Sequence, residues 1–215
     1  MVPPTSAIAD VLQLRGLMGW LSPPLVPIHR TPAVIGAART VTLAAGSGPE
    51  GLKPLHRLLD EDLEGRIVVI AGATAAEGAV WGEILTRAAQ NAGALAALID
   101  GGVRDTDAAR DLDFPLWARH EATAGPGPRV HVAAVGTPVH INGVLIADGD
   151  TLVVDRGGVV TVPGPEILTD ATEYTDAEEE VVNALREGTP LHEAYTHKAN
   201  LVAKLRSRNS GSQTM

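Results

Sequence analysis

Ile67-Val68-Val69-Ile70 begins a segment that ends in Ile99-Asp100-Gly101-Gly102-Val103-Arg104-Asp105. The first run is continuously apolar, as a strand covered on both faces must be. After Ala71-Gly72-Ala73-Thr74, a helix is predicted around Gly78 to Ala92. Val80, Ile84 and Ala88 fall at i, i+4 and i+8, and Gly93 closes the helix as a C′ residue. Leu95 to Ile99 reads as the next strand and Asp100-Gly101-Gly102 as a tight turn. A short helix then runs from near Asp105 to just before Phe114-Pro115. Strand, helix and strand in this space make a parallel βαβ unit, so the predicted class is α/β.

Upstream, Ser6 to Met18 carries Ile8, Val11, Leu12 and Leu14 near helical spacing, with Ser6 as the expected cap. Ser22-Pro23-Pro24-Leu25-Val26-Pro27 must be a non-helical connector. Val34-Ile35 and Thr40 to Leu43 read as strands, and Leu52 to Leu59 as a short helix. Downstream the pattern turns to short strands: Val130–Val135, Thr137–Ile141, Val144–Ile146, Thr151–Val154 and Val159–Val162. Asn142-Gly143 between two of them is a hairpin signal. Thr175-Asp176-Ala177-Glu178 resembles a capping box before a helix that stops at Gly188, and Thr189-Pro190 starts another. The organisation expected is one domain over residues 1–170, a helical arm over 171–208 and a frayed tail over 209–215.

Lys plus Arg total 17 against 26 Asp plus Glu, a net charge of −9 that repels phosphate backbones and argues against nucleic acid. No apolar run approaches the roughly 20 residues of a membrane span, so no membrane is expected. Cysteine is absent, which removes disulfides, thiolate metal sites and a cysteine nucleophile. The opening residues lack the basic and apolar pattern of a signal peptide, and with the missing cysteines this favours the cytoplasm.

Glu83 is placed near the start of the helix that follows the first strand. Arg104 and Asp105 follow the C-terminal end of the next. In parallel α/β architecture both positions lie at one sheet edge, where ligand sites form. Two carboxylates and a guanidinium there suit a hard divalent cation and a 2-oxo acid, because the cation takes oxygen ligands and Arg grips a carboxylate bidentately. The plainer alternative is that Asp105 merely caps a short helix.

Gly78-Ala79-Val80-Trp81-Gly82-Glu83-Ile84-Leu85, Ala88-Ala89, Gly93 and Ile99 to Asp105 resemble the signature of the family that groups class II 4-hydroxy-4-methyl-2-oxoglutarate aldolases with the regulator of ribonuclease activity A (RraA). Phe114-Pro115, Ala118-Arg119, Pro138-Val139, Gly143-Val144 and Gly149-Asp150 fit as well, so the resemblance covers nearly the whole chain. It implies a compact layered β/β/α swivelling-domain fold and a Mg²⁺ or Mn²⁺ cofactor. Asp105 becomes the direct metal ligand, and Glu83 holds water on the metal. Arg104 contacts the substrate carboxylate and enolate, while Gly82 and the backbone amides of Ile84 and Leu85 bind the pyruvyl group. A glutamate from a neighbouring subunit's arm completes the family site. Among Glu178, Glu179 and Glu180, Glu180 is the candidate, against the plain reading of a solvated helix face. Assembly as a homotrimer or homohexamer follows. One position departs from the pattern: Ala108 stands where an acidic residue is usual, three after Asp105.

Three functions remain: a metal-dependent lyase producing pyruvate by retro-aldol cleavage or oxaloacetate decarboxylation, a non-catalytic regulator, or a related enzyme on another acid. Other motifs are weaker. Read as G-x-G-x-x-G from Gly72, the sequence puts Thr74 and Glu77 where glycines belong. His131 and His140 lie on predicted strands without zinc-ligand spacing. Lys53, Lys198 and Lys204 do not end an apolar strand, which argues against Schiff-base chemistry.

Overall fold

The computed structural model describes residues 2–208, and the expected tail, 209–215, lies outside the described residues. In chain order the elements begin with α1 (Thr5–Leu14), β1 (Val26–Pro27), β2 (Val34–Ala45), α2 (Lys53–Leu58), β3 (Arg66–Ala71) and β4 (Ala79–Trp81). Next come α3 (Glu83–Asn91), β5 (Ala96–Val103), α4 (Thr106–Asp111), β6 (Leu116–Glu121), β7 (Val130–Val135) and β8 (Val139–Ile141). The chain ends in β9 (Val144–Ile146), β10 (Thr151–Asp155), β11 (Gly158–Val162), α5 (Pro165–Arg186), α6 (Leu191–Ala194) and α7 (Thr196–Ser207). No helix among the described residues is long and apolar enough to cross a membrane. Two compact units emerge, a β-rich one over Trp20–Thr161 and a helical one from Met1–Gly19 with Val162–Met215.

The β-rich unit is built on a mixed sheet in the order β1-β6-β5-β3-β2-β10-β11, with β4 on β5 and β7 on β2. β2, β3, β5 and β6 are parallel in sequence of pairing. Trp20 bridges Val160 on one edge strand while Val26 pairs with Ala118 on β6, so one short segment nearly closes the sheet on itself. Alternate residues of the central strands face opposite layers. Val68, Ile70, Ala97 and Ile99 pack with Leu55, Leu58, Ala89 and Ala109 of the helices. Ile67, Val69, Ala96 and Leu98 pack with Val139, Ile141, Val144 and Ile146 of the β8–β9 hairpin. Helices, sheet and hairpin are the three layers of the β/β/α arrangement expected from the sequence, and full burial on both faces explains the unbroken apolar runs.

Several local expectations change. The two strands read at Val34 and Thr40 are one, β2, because β3, β7 and β10 all pair along it. β6 and β1 were not foreseen. The helix expected from Gly78 starts only at Glu83, because Ala79 and Trp81 pair with Gly102 and Val103. Asp100-Gly101-Gly102 is not a turn but the continuation of β5. Glycine is needed at 101 for close approach: a Cβ there would stand 2.6 Å from that of Ala73. Asn142 and Gly143 do turn the hairpin, with φ of 45° and 87°.

In the helical unit, Ala7, Ile8, Val11 and Leu12 of α1 are buried, and α1 packs on α5 and α7. Ser6 lies inside α1 rather than capping it, Pro4 taking the N-cap place. α5 begins at Pro165, with Pro in the first turn, so Thr175 is mid-helix and its hydroxyl donates to the Ala171 carbonyl instead of forming a capping box. Buried Asp170 accepts from Arg15 and, at 2.7 and 2.8 Å, from Arg208. Of the arm's apolar positions, Val181 and Leu205 are buried within the unit, whereas Val182 and Leu185 stay exposed.

Candidate active site at the C-terminal ends of the parallel strands

β4 ends at Trp81, and its carbonyl accepts the Arg104 amide at 2.9 Å. That bond extends the β4–β5 pairing and brings the Gly82-to-Leu85 turn beside the residues that follow β5. α3 then begins: the Thr86 amide donates to the Gly82 carbonyl at 3.0 Å, the first rung of its ladder. The amides of Ile84 and Leu85 precede that rung, so they belong to the donors a helix N-terminus leaves for a ligand. A side-chain relay fixes this end. The Trp81 indole donates to the Thr86 hydroxyl at 2.9 Å, which donates to the same Gly82 carbonyl at 3.0 Å. Trp81 and Thr86 are buried, so the relay is shielded from water.

Asp105 sits at the N-cap of α4, but with φ 53° and ψ 42° and without a side-chain cap bond. The capping alternative is therefore overturned: a normal cap has extended backbone and directs its oxygen to the helix amides. In the left-handed conformation, which Asp tolerates better than most residues, the carboxylate lies elsewhere. Its Oδ2 is 3.5 Å from Arg104 Nε and close over Gly82, where a Cβ would stand 2.8 Å away. Arg104 Cγ would be 3.1 Å from that same Cβ, so Gly82 is the position that admits both charged side chains.

These residues line a cavity of about 230 Å³ together with Leu52, His56 and Pro126. Glu83, Ile84 and Leu85 also line it, so Gly82, Glu83, Ile84, Leu85, Arg104 and Asp105 share one cavity. Glu83 also accepts from Arg87 at 2.9 Å, an i,i+4 pair. Ile84 is not on the buried stripe expected for α3: its side chain is 81% exposed at the cavity, and Thr86 and Ala89 take the buried positions. Asp107 pairs with Arg110 at 2.6 Å, and it does not substitute for the acid missing at Ala108. Glu180 belongs to the helical unit, exposed, its carboxylate 4.0 Å from His197. The cavity lining is drawn from the β-rich unit alone. Sequence reasoning missed Trp81 and Thr86, and the lining residues Leu52, His56 and Pro126 as well. The four-residue step from Gly82 to Thr86 was the available signal, since a helical Thr bonds back to i−4.

Among the described residues no group of three His, Cys, Asp or Glu side chains gathers around one point. The donor set is thus not a closed protein cage of the kind that holds structural zinc or calcium. Asp105 and Glu83 are the carboxylates of the lining that would face a hard divalent cation such as Mg²⁺ or Mn²⁺, which takes one or two carboxylates and keeps its waters.

The RraA-like family profile, described as Aldolase/RraA, matches residues 5–161. A Halalkalibacterium halodurans protein provisionally named a 4-hydroxy-4-methyl-2-oxoglutarate aldolase is 30% identical over 160 residues, 74% of this chain and 72% of that one. The crystal structure of an uncharacterized Pseudomonas syringae protein superposes with a TM-score of 0.78 at 26% identity, covering 90% of this chain and 92% of that chain. Streptomyces coelicolor RraAS2, titled an unusual member of the RNase ES inhibitor RraA family, has the same fold at a TM-score of 0.67 and 24% identity, covering 85% and 88%. With the fold, the cavity and the sequence match in agreement, this chain belongs to the Aldolase/RraA family.

Proposed function

We propose that this protein is a divalent-metal-dependent carbon–carbon lyase of 2-oxo acids, releasing pyruvate by retro-aldol cleavage of a 4-hydroxy-2-oxo acid or by decarboxylating oxaloacetate. The observation that carries the reading is Asp105, whose carboxylate leaves its capping role and faces Arg104 beside the N-terminus of α3. The aldolase-named relative supports it. Asp105, with Glu83 beside it, would hold Mg²⁺ or Mn²⁺, which when bound supplies Lewis acidity at the 2-oxo oxygen.

The chain's own groups do the rest. The amides of Ile84 and Leu85 and the Arg104 guanidinium bind the substrate's C1 carboxylate, fixing its rotation about C1–C2. As the C3–C4 bond breaks, its electron pair moves into the enolate. Arg104 then stabilises the charge growing on that oxygen more strongly than in the ground state, which is what accelerates the step. In retro-aldol cleavage the C4 hydroxyl gives its proton to water as C4 becomes a carbonyl, in decarboxylation carbon dioxide leaves, and in both C3 takes a proton from water to give pyruvate. Apolar Leu52, Leu85 and Pro126 limit water around the developing charge. We place a neighbouring copy's Glu180 at the site in a homotrimer or homohexamer; exposed Val182, Leu185 and Leu191 on the arm supply apolar surface for such contacts. Light scattering on the full chain reads this directly.

The second reading, a non-catalytic regulator, is favoured by Ala108 and by the Glu83–Arg87 pair, which together thin the acidic donors. Pyruvate release from oxaloacetate, measured with Mg²⁺ and with chelator, separates the two. Metal-dependent release supports the lyase, and none from oxaloacetate or a 4-hydroxy-2-oxo acid supports the regulator.

A further inference from the structure

A second cavity, of about 280 Å³, lies at the opposite ends of the parallel strands and is lined by Pro27, His29, Arg30, Thr31 and Arg156. β1 runs antiparallel to β6, so the residues after it arrive at the start of that strand. The Ile28 amide donates to the Leu116 carbonyl at 2.9 Å, and His29 Nε2 is 2.8 Å from the Phe114 carbonyl. His29 Nδ1 also lies 3.2 Å from the Arg30 carbonyl, and the shorter contact to Phe114 holds the ring as a wall of the cavity. Arg156 comes from the β10–β11 turn. That turn is set by the Gly157 amide donating to Asp155 Oδ1 at 2.7 Å and by the Trp117 indole donating to the Asp155 carbonyl at 3.0 Å.

Arg39, Arg119 and Arg129 of the same unit each face a carboxylate. Arg30 and Arg156 have no ion-pair partner among the described residues, in a chain whose acids outnumber its bases by nine. Among the described residues the Thr31 hydroxyl is buried without a hydrogen-bond partner, so it has a donor to offer. Two guanidiniums lining one cavity suit the oxygens of an oxyanion, which accepts paired N–H bonds from each fork. We propose that this cavity binds the phosphate or carboxylate group of a small molecule, held by Arg30 and Arg156 with Thr31 donating from the wall. It shares no residue with the Arg104 cavity.

The test is calorimetric titration of the full chain in chloride buffer at constant ionic strength. Inorganic phosphate is one probe and succinate the other. Arg104→Ala serves as the background that removes the first cavity's anion contact. One-to-one saturable binding is expected for at least one probe, and which one binds identifies the group. Arg30→Ala with Arg156→Ala should weaken it at least about tenfold, the consequence of losing charged hydrogen bonds. Thr31→Val, nearly isosteric, should weaken it severalfold while circular dichroism stays unchanged. Absence of binding by both probes, or equal binding by the double-arginine variant, overturns the proposal.

Discussion

At the scale of single residues, the account turns on Gly82, Arg104 and Asp105. Gly82 has φ −163° and ψ −163°, extended backbone that alanine also adopts, so its replacement tests space rather than strain. The added methyl of Gly82→Ala would stand 2.8 Å from Asp105 Oδ2 and 3.1 Å from Arg104 Cγ, and both must move. Turnover should fall about a hundredfold or more, as misplacement of reacting groups by an ångström does, with the thermal midpoint nearly unchanged; retained wild-type turnover would show that the pair need not sit there. Arg104→Lys keeps the charge but loses the planar fork. Inhibition by pyruvate should weaken by about 1.5–3 kcal/mol, read from inhibition constants, and an unchanged constant removes Arg104 from the site. Arg104 and Asp105 were legible because they follow the C-terminal end of a readable strand, and Gly82 only because the Gly78-to-Leu85 run resembles the family signature. The left-handed backbone at Asp105 was not, because it depends on where Gly82 and Trp81 arrive from another part of the chain.

Elements tell a different story about legibility. β3 and β5 were readable from their apolar runs, and the Asn142-Gly143 hairpin from its turn chemistry. β4 was not, because a three-residue strand is too short for any periodicity and exists through its pairing with Gly102 and Val103. β6 escaped for a related reason: Leu116 to Glu121 mixes buried Trp117 with Arg119, whose Nε donates to buried Asp100 at 2.6 Å. α5 was read as starting ten residues late because Thr175 mimics a cap, while Pro165 is the true first-turn residue. Within α3 the Trp81–Thr86–Gly82 relay joins strand to helix. Thr86→Val preserves shape but strands a buried indole N–H, so urea denaturation should show a loss of about 1–3 kcal/mol. A change within error would mean that the relay is incidental.

For the molecule as a whole, stability and turnover are separable. In the helical unit, burial lifts the Tyr174 phenol above its ordinary pKa of 10.0, against the Lys198 hydrogen bond. Burial also works against the Lys198 ammonium, yet its bonds to Glu178 and Tyr174 outweigh this and hold it above 10.5. Both groups therefore bind their protons more tightly when folded. Their contribution is complete below the ordinary values and is lost as pH rises through the raised ones. The thermal midpoint should drop as pH rises above about 10, and a Tyr174→Phe, Lys198→Met variant should lose less over that range; equal slopes would contradict the assignment. The proposed turnover centres instead on the cavity of the β-rich unit. The rate of pyruvate release from oxaloacetate, measured across a Mg²⁺ titration for wild type and for Asp105→Ala with the fold checked by circular dichroism, tests that most directly. The account predicts a saturating metal dependence in the wild type and no turnover above background in the variant. Wild-type rates in Asp105→Ala, or turnover in neither, would contradict it.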